Sequence, residues 1–240
     1  MVKLSKRMQA VANLVGDVDS VADIGCDHGY LPIYLVSEGH ANRAVAMDVR
    51  KGPLAAATEH IKEAGLEGKI STRLSDGLTN LKEGEGECVI VAGMGGRLVI
   101  RILQDALPFL KENGGVKRLV LQPQSELAYV RSCLREMGLC CVKEDMVLED
   151  GKFYPMGCYE FGEPKEMANQ ELFDLYGTLL LTERHPVLYD YLIKELETFE
   201  EVQKSLSRMK EGEKRQLRQG EIEQKLRHNQ MARDFYNERG

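Results

Sequence analysis

Apolar residues at positions 4, 8, 11 and 15 predict an amphipathic helix over 4–15 that ends at Gly16. Short apolar runs then alternate with helical patterns. Strands are expected at 21–24, 44–49, 70–74, 88–92 and 119–121, and helices at 31–38, 53–64, 98–110 and 125–137. Pro53 suits the first turn of its helix. Strands separated by crossover helices imply a parallel sheet. The runs at 140–148 and 153–161 instead flank Glu149-Asp150-Gly151, which predicts an antiparallel hairpin.

From about Gly162 the pattern changes: glycine thins out and Glu, Lys, Arg, Gln and Leu dominate. Leu188, Leu192, Leu196, Phe199, Val202, Leu206 and Met209 recur every three or four residues, forming a heptad-like seam. Beyond Gly212, Leu217, Ile222, Leu226 and Phe235 support a second helix, and a further helix over 165–181 is expected to lead into the pair. The expected organisation is therefore an α/β domain over 1–162 and a helical coiled-coil hairpin over 163–240. A hairpin can bury its own seam, which favours a monomer.

At 240 residues, with 43% hydrophobic and 29% charged side chains, the chain can bury one sizeable core and carry an appendage. It holds no run of about 20 apolar residues and no apolar signal segment, so a cytoplasmic protein without a membrane span is expected. The six cysteines form no C-x-x-C, so buried thiols are expected and a metal site is not. The formal charge of -6 excludes a uniformly basic surface, yet residues 204–239 hold ten Lys and Arg, Lys210 and Arg239 among them, against six carboxylates. That asymmetry fits either a grip on phosphate backbone or a solvated mixed-charge helix pair.

The candidate chemistry begins at Asp23-Ile24-Gly25-Cys26-Asp27-His28-Gly29, across the first expected βα turn. Gly25 and Gly29 allow the chain to turn tightly beside a ligand, where a helix N-terminus and backbone N–H groups converge. Asp23 can pair with the ammonium of a methionine moiety but would repel a pyrophosphate. Asp48, with Val49 beside it, follows at the spacing expected of a carboxylate that accepts bonds from ribose hydroxyls. Asp76-Gly77 can receive an adenine amino group. A dinucleotide is disfavoured because Asp27 stands where the middle glycine of G-x-G-x-x-G would be.

The motifs Asp23-Ile24-Gly25-Cys26-Asp27-His28-Gly29-Tyr30-Leu31-Pro32, Ala92-Gly93-Met94-Gly95-Gly96 and Leu121-Gln122-Pro123-Gln124 together resemble the bacterial tRNA adenine-N1 methyltransferases that act at nucleotide 22, in the D-loop region. The resemblance spans nearly the whole chain. It implies a Rossmann-like seven-stranded methyltransferase core with a C-terminal coiled-coil domain, S-adenosylmethionine as cofactor and tRNA as partner. Arg7, Gly93 and Met94 then join the expected cofactor site. The small-residue loop at 92–96 replaces the Asn/Asp-Pro-Pro-aromatic motif common in amino-directed enzymes and leaves room for a flat base.

Adenine N1 carries an available lone pair, so catalysis could rest largely on positioning. Asp27 is the candidate to accept a bond from the adenine amino group or face the cationic product, with His28 and Tyr30 orienting or stacking the base. Two other functions remain open: methylation of another RNA position or a small molecule, and a noncatalytic RNA-binding protein with a vestigial cofactor pocket.

Overall fold

In the computed structural model, which describes residues 2–113, 115–208 and 212–237, the apolar runs of the first part of the chain pair into one seven-stranded sheet. The strands are β1 (Val18–Ile24), β2 (Ala41–Asp48), β3 (Ile70–Leu74), β4 (Cys88–Met94), β5 (Arg118–Pro123), β6 (Leu139–Glu149) and β7 (Lys152–Phe161). Their spatial order is β3-β2-β1-β4-β5-β7-β6. The first five are parallel, and β7 runs antiparallel to both β5 and β6. Asp150 and Gly151 both have positive φ, as a tight two-residue hairpin turn requires, so the predicted hairpin forms.

Val21, Ala22, Ile24, Val89, Ile90 and Val91 are all buried, since helices cover both faces of the sheet. Those helices are α1 (Lys6–Val15), α2 (Tyr30–Ser37), α3 (Lys51–Glu63), α4 (Gly96–Asp105) and α5 (Leu127–Glu136). The Ser5 hydroxyl caps α1 by accepting the Met8 N–H at 3.3 Å. α3 starts two residues before Pro53, which still falls among the helix positions with no internal acceptor for an N–H. The helix expected over 98–110 is shorter: α4 ends at Asp105 and a π-turn follows at Phe109–Asn113. Pro108 explains the break, because it cannot donate to the Gln104 carbonyl.

The chain order places β2 on one side of β1 and β4 on the other. Connections leave in opposite directions at that point, opening a crevice at the carboxyl ends of β1 and β4.

The chain divides into two units, Met1–Glu166 and Met167–Gly240. The second is helical: α6 (Gln170–Tyr176), α7 (Thr178–Thr182), α8 (Pro186–Ser207) and α9 (Glu213–Asn237). The single helix expected over 165–181 is thus two, split at Gly177, whose φ of 94° no helix accommodates. α8 buries Leu188, Leu192 and Leu206 and half-buries Leu196, Phe199 and Val202, matching the predicted seam. Met209, Lys210, Glu211, Glu238 and Arg239 lie outside the described residues.

Between α8 and α9 the apolar seam is interrupted by a buried polar lock that hydrophobic periodicity does not reveal. Fully buried Asn229 donates to the Leu192 carbonyl at 2.8 Å and to Glu195 at 3.1 Å, while Tyr176 and Tyr191 donate to the same carboxylate. Replacing Asn229 by Ala removes its bonds to the buried Leu192 carbonyl and the half-buried Glu195 carboxylate, and the one its Oδ1 accepts from Arg233 Nε at 2.8 Å. The expected loss is roughly 2–3 kcal/mol of helical-unit stability, measured by urea unfolding followed through helix content; a loss below about 0.5 kcal/mol would contradict the lock.

Candidate functional site

A cavity of about 780 Å³ opens at the carboxyl ends of the parallel strands. Arg7, Asp23, Gly25, Asp27, His28, Tyr30, Asp48, Val49, Asp76, Gly77, Gly93 and Met94 all line it. Gly29, the one remaining candidate from the sequence, does not line the cavity and packs against Ala57 of α3.

The β1–α2 turn is built by backbone geometry. Gly25 N–H and Cys26 N–H both donate to the Met47 carbonyl of β2, at 2.8 and 3.0 Å, tying the turn to the neighbouring strand. Gly25 has φ of 76°, a left-handed conformation that favours glycine, and a Cβ there would lie 2.3 Å from the Met94 methyl, which would have to move. Asp27 follows with φ of 49°, a left-handed conformation costing on the order of 1 kcal/mol for a side-chain-bearing residue. The strained residue is the one that presents an exposed carboxylate at the cavity edge.

Two carboxylates form the cavity floor. Asp23 and Asp48 are each only 4% exposed. Burial, reinforced by the Asp48 charge, pushes the Asp23 carboxyl up to about 7. Asp48 accepts the Arg50 N–H at 2.8 Å, with the Arg50 guanidinium 3.6 Å away and largely exposed. Burial and the Asp23 and Asp48 charges raise the Cys26 thiol, which keeps it neutral and a poor nucleophile. Such a floor suits a ligand that brings its own cation and hydroxyl donors.

The walls differ in character. Asp76 stands at the rim with Arg101 3.6 Å away. Arg7 donates to the buried Gln122 side chain at 3.0 Å and lies over the Tyr154 ring, which fixes it beside Gly93. Gly93 lines the cavity, whereas Gly96 turns away against Ser125 and Val130, where α4 and α5 pack closely. The 92–96 loop therefore divides its small residues between the cavity and helix packing.

Arg50, Ser75, Leu98, Arg101, Ile102 and Gln124 also line the cavity but were not among the sequence candidates. Leu98, Arg101 and Ile102 share one face of α4, and in sequence that face looks like any amphipathic helix. Gln122 carried a usable signal, since it is a fully buried polar residue inside the apolar run of β5. Among the described residues no group of three or more His, Cys, Asp or Glu could hold a metal, and no helix is long and apolar enough to cross a membrane.

Comparison with known proteins adds the following. The methyltransferase domain family matches residues 4–156. The tRNA (adenine(22)-N(1))-methyltransferase of Bacillus subtilis is 31% identical over 227 residues, covering 93% of this chain and 94% of that protein. The crystal structure of the B. subtilis m1A22 tRNA methyltransferase TrmK superposes with a TM-score of 0.84 at 30% identity, covering 97% of this chain and 99% of that one. Streptococcus pneumoniae Sp1610 in complex with S-adenosyl-L-methionine gives 0.82 at 33% identity, covering 96% of this chain and 99% of that one.

Proposed function

The chain belongs to the family of tRNA (adenine(22)-N(1))-methyltransferases, and from that premise we propose that it methylates N1 of adenine 22 in tRNA, using S-adenosylmethionine. The observation that carries this reading is the gathering of Asp23, Asp48 and Asp76 in one strand-end cavity with Asp27 at its edge. Two nearly buried carboxylates and a turn whose left-handed Gly25 favours glycine fit a cationic nucleoside ligand.

When bound, S-adenosylmethionine supplies an electrophilic methyl group on a sulfonium. Asp48, with Val49 beside it, would accept the ribose hydroxyls, Asp23 would face the amino-acid ammonium, and Asp76-Gly77 would receive the adenine amino group. Gly25, Gly93, Met94 and Arg7 would shape and close the methionine end, with Gly29 letting α3 pack against the turn behind it. Asp27 would accept a bond from the target adenine amino group and stabilise the cation that develops on the ring. His28 and Tyr30 would orient that base, their rings 5.8 Å apart at the cavity edge. No base is needed to deprotonate N1, because its lone pair is already free at neutral pH.

A Watson-Crick edge is hidden in duplex RNA, so the chain would act on an unpaired or extruded nucleotide of the D-loop region. The protein would act as a monomer, its basic helical segment contacting phosphates.

The test is transfer of a radiolabelled methyl group into a tRNA transcript carrying A22 and into its G22 variant. Label is expected in the first alone. Label in the G22 transcript would overturn the assigned position, and none in either would overturn the activity. In the same assay Asp27→Asn is expected to slow single-turnover transfer about 100-fold at saturating cofactor, the effect of removing one charge-stabilising group. An unchanged rate would remove Asp27 from the chemistry.

A further inference from the structure

Ala57 and His60 lie three residues apart on α3 and so share one face of that helix. The Ala57 side chain is small enough for α3 to press against the β1–α2 turn: a Cβ on Gly29 would sit 3.0 Å from the Ala57 Cβ. That close approach delivers His60 to the turn. The His60 Nδ1–H donates to the His28 carbonyl at 2.9 Å, a role fixed by the carbonyl's inability to donate. Its ring stacks on Tyr30, with centroids 4.8 Å apart and planes 20° from parallel, and lies 5.8 Å from the His28 ring.

The bond adds a side-chain anchor to the far end of a turn otherwise held by backbone bonds. Gly25 and Cys26 are tied to Met47, and Gly29 N–H donates to Cys26 at 2.8 Å. Between those anchors stand left-handed Asp27 and His28, and the His60 imidazole fastens the peptide that follows them. The same ring backs Tyr30, which is 45% exposed and lines the cavity.

We infer that His60 is a positioning residue for the target base: it holds the His28–Gly29 peptide and the Tyr30 ring in the geometry that receives an unpaired adenine. The inference rests on the tRNA-methylation reading above. His60 itself does not line the cavity, so it acts through its neighbours.

Steady-state transfer into A22 tRNA is measured for wild type, His60→Ala, His60→Asn and His60→Phe, with S-adenosylhomocysteine affinity and thermal midpoint for each. In His60→Ala, kcat is expected to fall about tenfold, because the reacting groups lose alignment, while cofactor-product affinity stays within about twofold. Asn places an amide donor where Nδ1 was and is expected to recover most of kcat. Phe keeps the ring against Tyr30 but has no donor, and is expected to stay low. A wild-type kcat in His60→Ala overturns the inference, as does failure of Asn to exceed Ala and Phe. Parallel losses of cofactor affinity and midpoint in all three variants also overturn it, since they mark a purely structural role. If wild type itself transfers no label, the parent reading falls and this inference with it; if only the variants behave unexpectedly, the parent reading stands.

Discussion

Asp48→Ala is expected to weaken binding of S-adenosylhomocysteine by at least about 100-fold, measured by calorimetry at pH 8. Each hydrogen bond from a ribose hydroxyl to an ionised acceptor contributes roughly 1.5–3 kcal/mol, so losing two predicts about 3–6 kcal/mol. Asp48 sits at the end of β2, 4% exposed, with its backbone paired to Leu74 in the sheet register. Its own support is one bond from the Arg50 N–H. Truncation therefore removes a buried acceptor without breaking the sheet, and the thermal midpoint should change little. An affinity within about threefold of wild type would show that the ribose is held elsewhere.

Asp23→Asn is expected to do two opposite things, both dependent on pH. Asp23 in the folded protein titrates near 7, well above its usual value of 3.8, because burial and the Asp48 charge oppose ionisation. A carboxyl raised in this way contributes stability that is fully present below about pH 4 and is lost as pH rises through about 7. Asn carries no such loss. The unliganded variant should therefore match wild type near pH 4 and exceed it by pH 8, by an amount on the order of 4 kcal/mol, seen as a higher thermal midpoint.

Ligand binding should move the other way. Only the ionised Asp23 can pair with an ammonium, so wild-type affinity for S-adenosylhomocysteine should fall as pH drops below 7, approaching tenfold per unit. Asp23→Asn should bind at least about tenfold more weakly at pH 8 and lose that pH dependence. Parallel pH profiles for the two proteins would mean that Asp23 does not face the ammonium.

Most of the fold was legible in the sequence, because its elements announce themselves locally. All seven strands fall on the predicted runs, and six reach further at one or both ends, since sheet pairing carries polar residues such as Asp19 and Arg43 along with their apolar neighbours. Two expected helices run through a break. Pro108 and Gly177 were visible signals, but the apolar spacing around each continued without a break and outweighed them. The candidate site was legible where it consists of strand ends and turn glycines, whose positions follow from element boundaries.

The sequence by itself determined the parallel α/β alternation, the closing hairpin at Asp150-Gly151, and the order in which Asp23, Asp48 and Asp76 leave their strands. Each follows from contacts within a few residues or from the direction of a strand. Tertiary structure alone decided that the Asp23 carboxyl titrates near neutral pH, that Arg101 meets Asp76, that Asn229 locks the helical hairpin, and that His60 reaches the β1–α2 turn. These are products of burial and of side chains brought together from distant parts of the chain. Hydrophobic periodicity reports which face of an element is buried, and carries no information about which polar group will be waiting there.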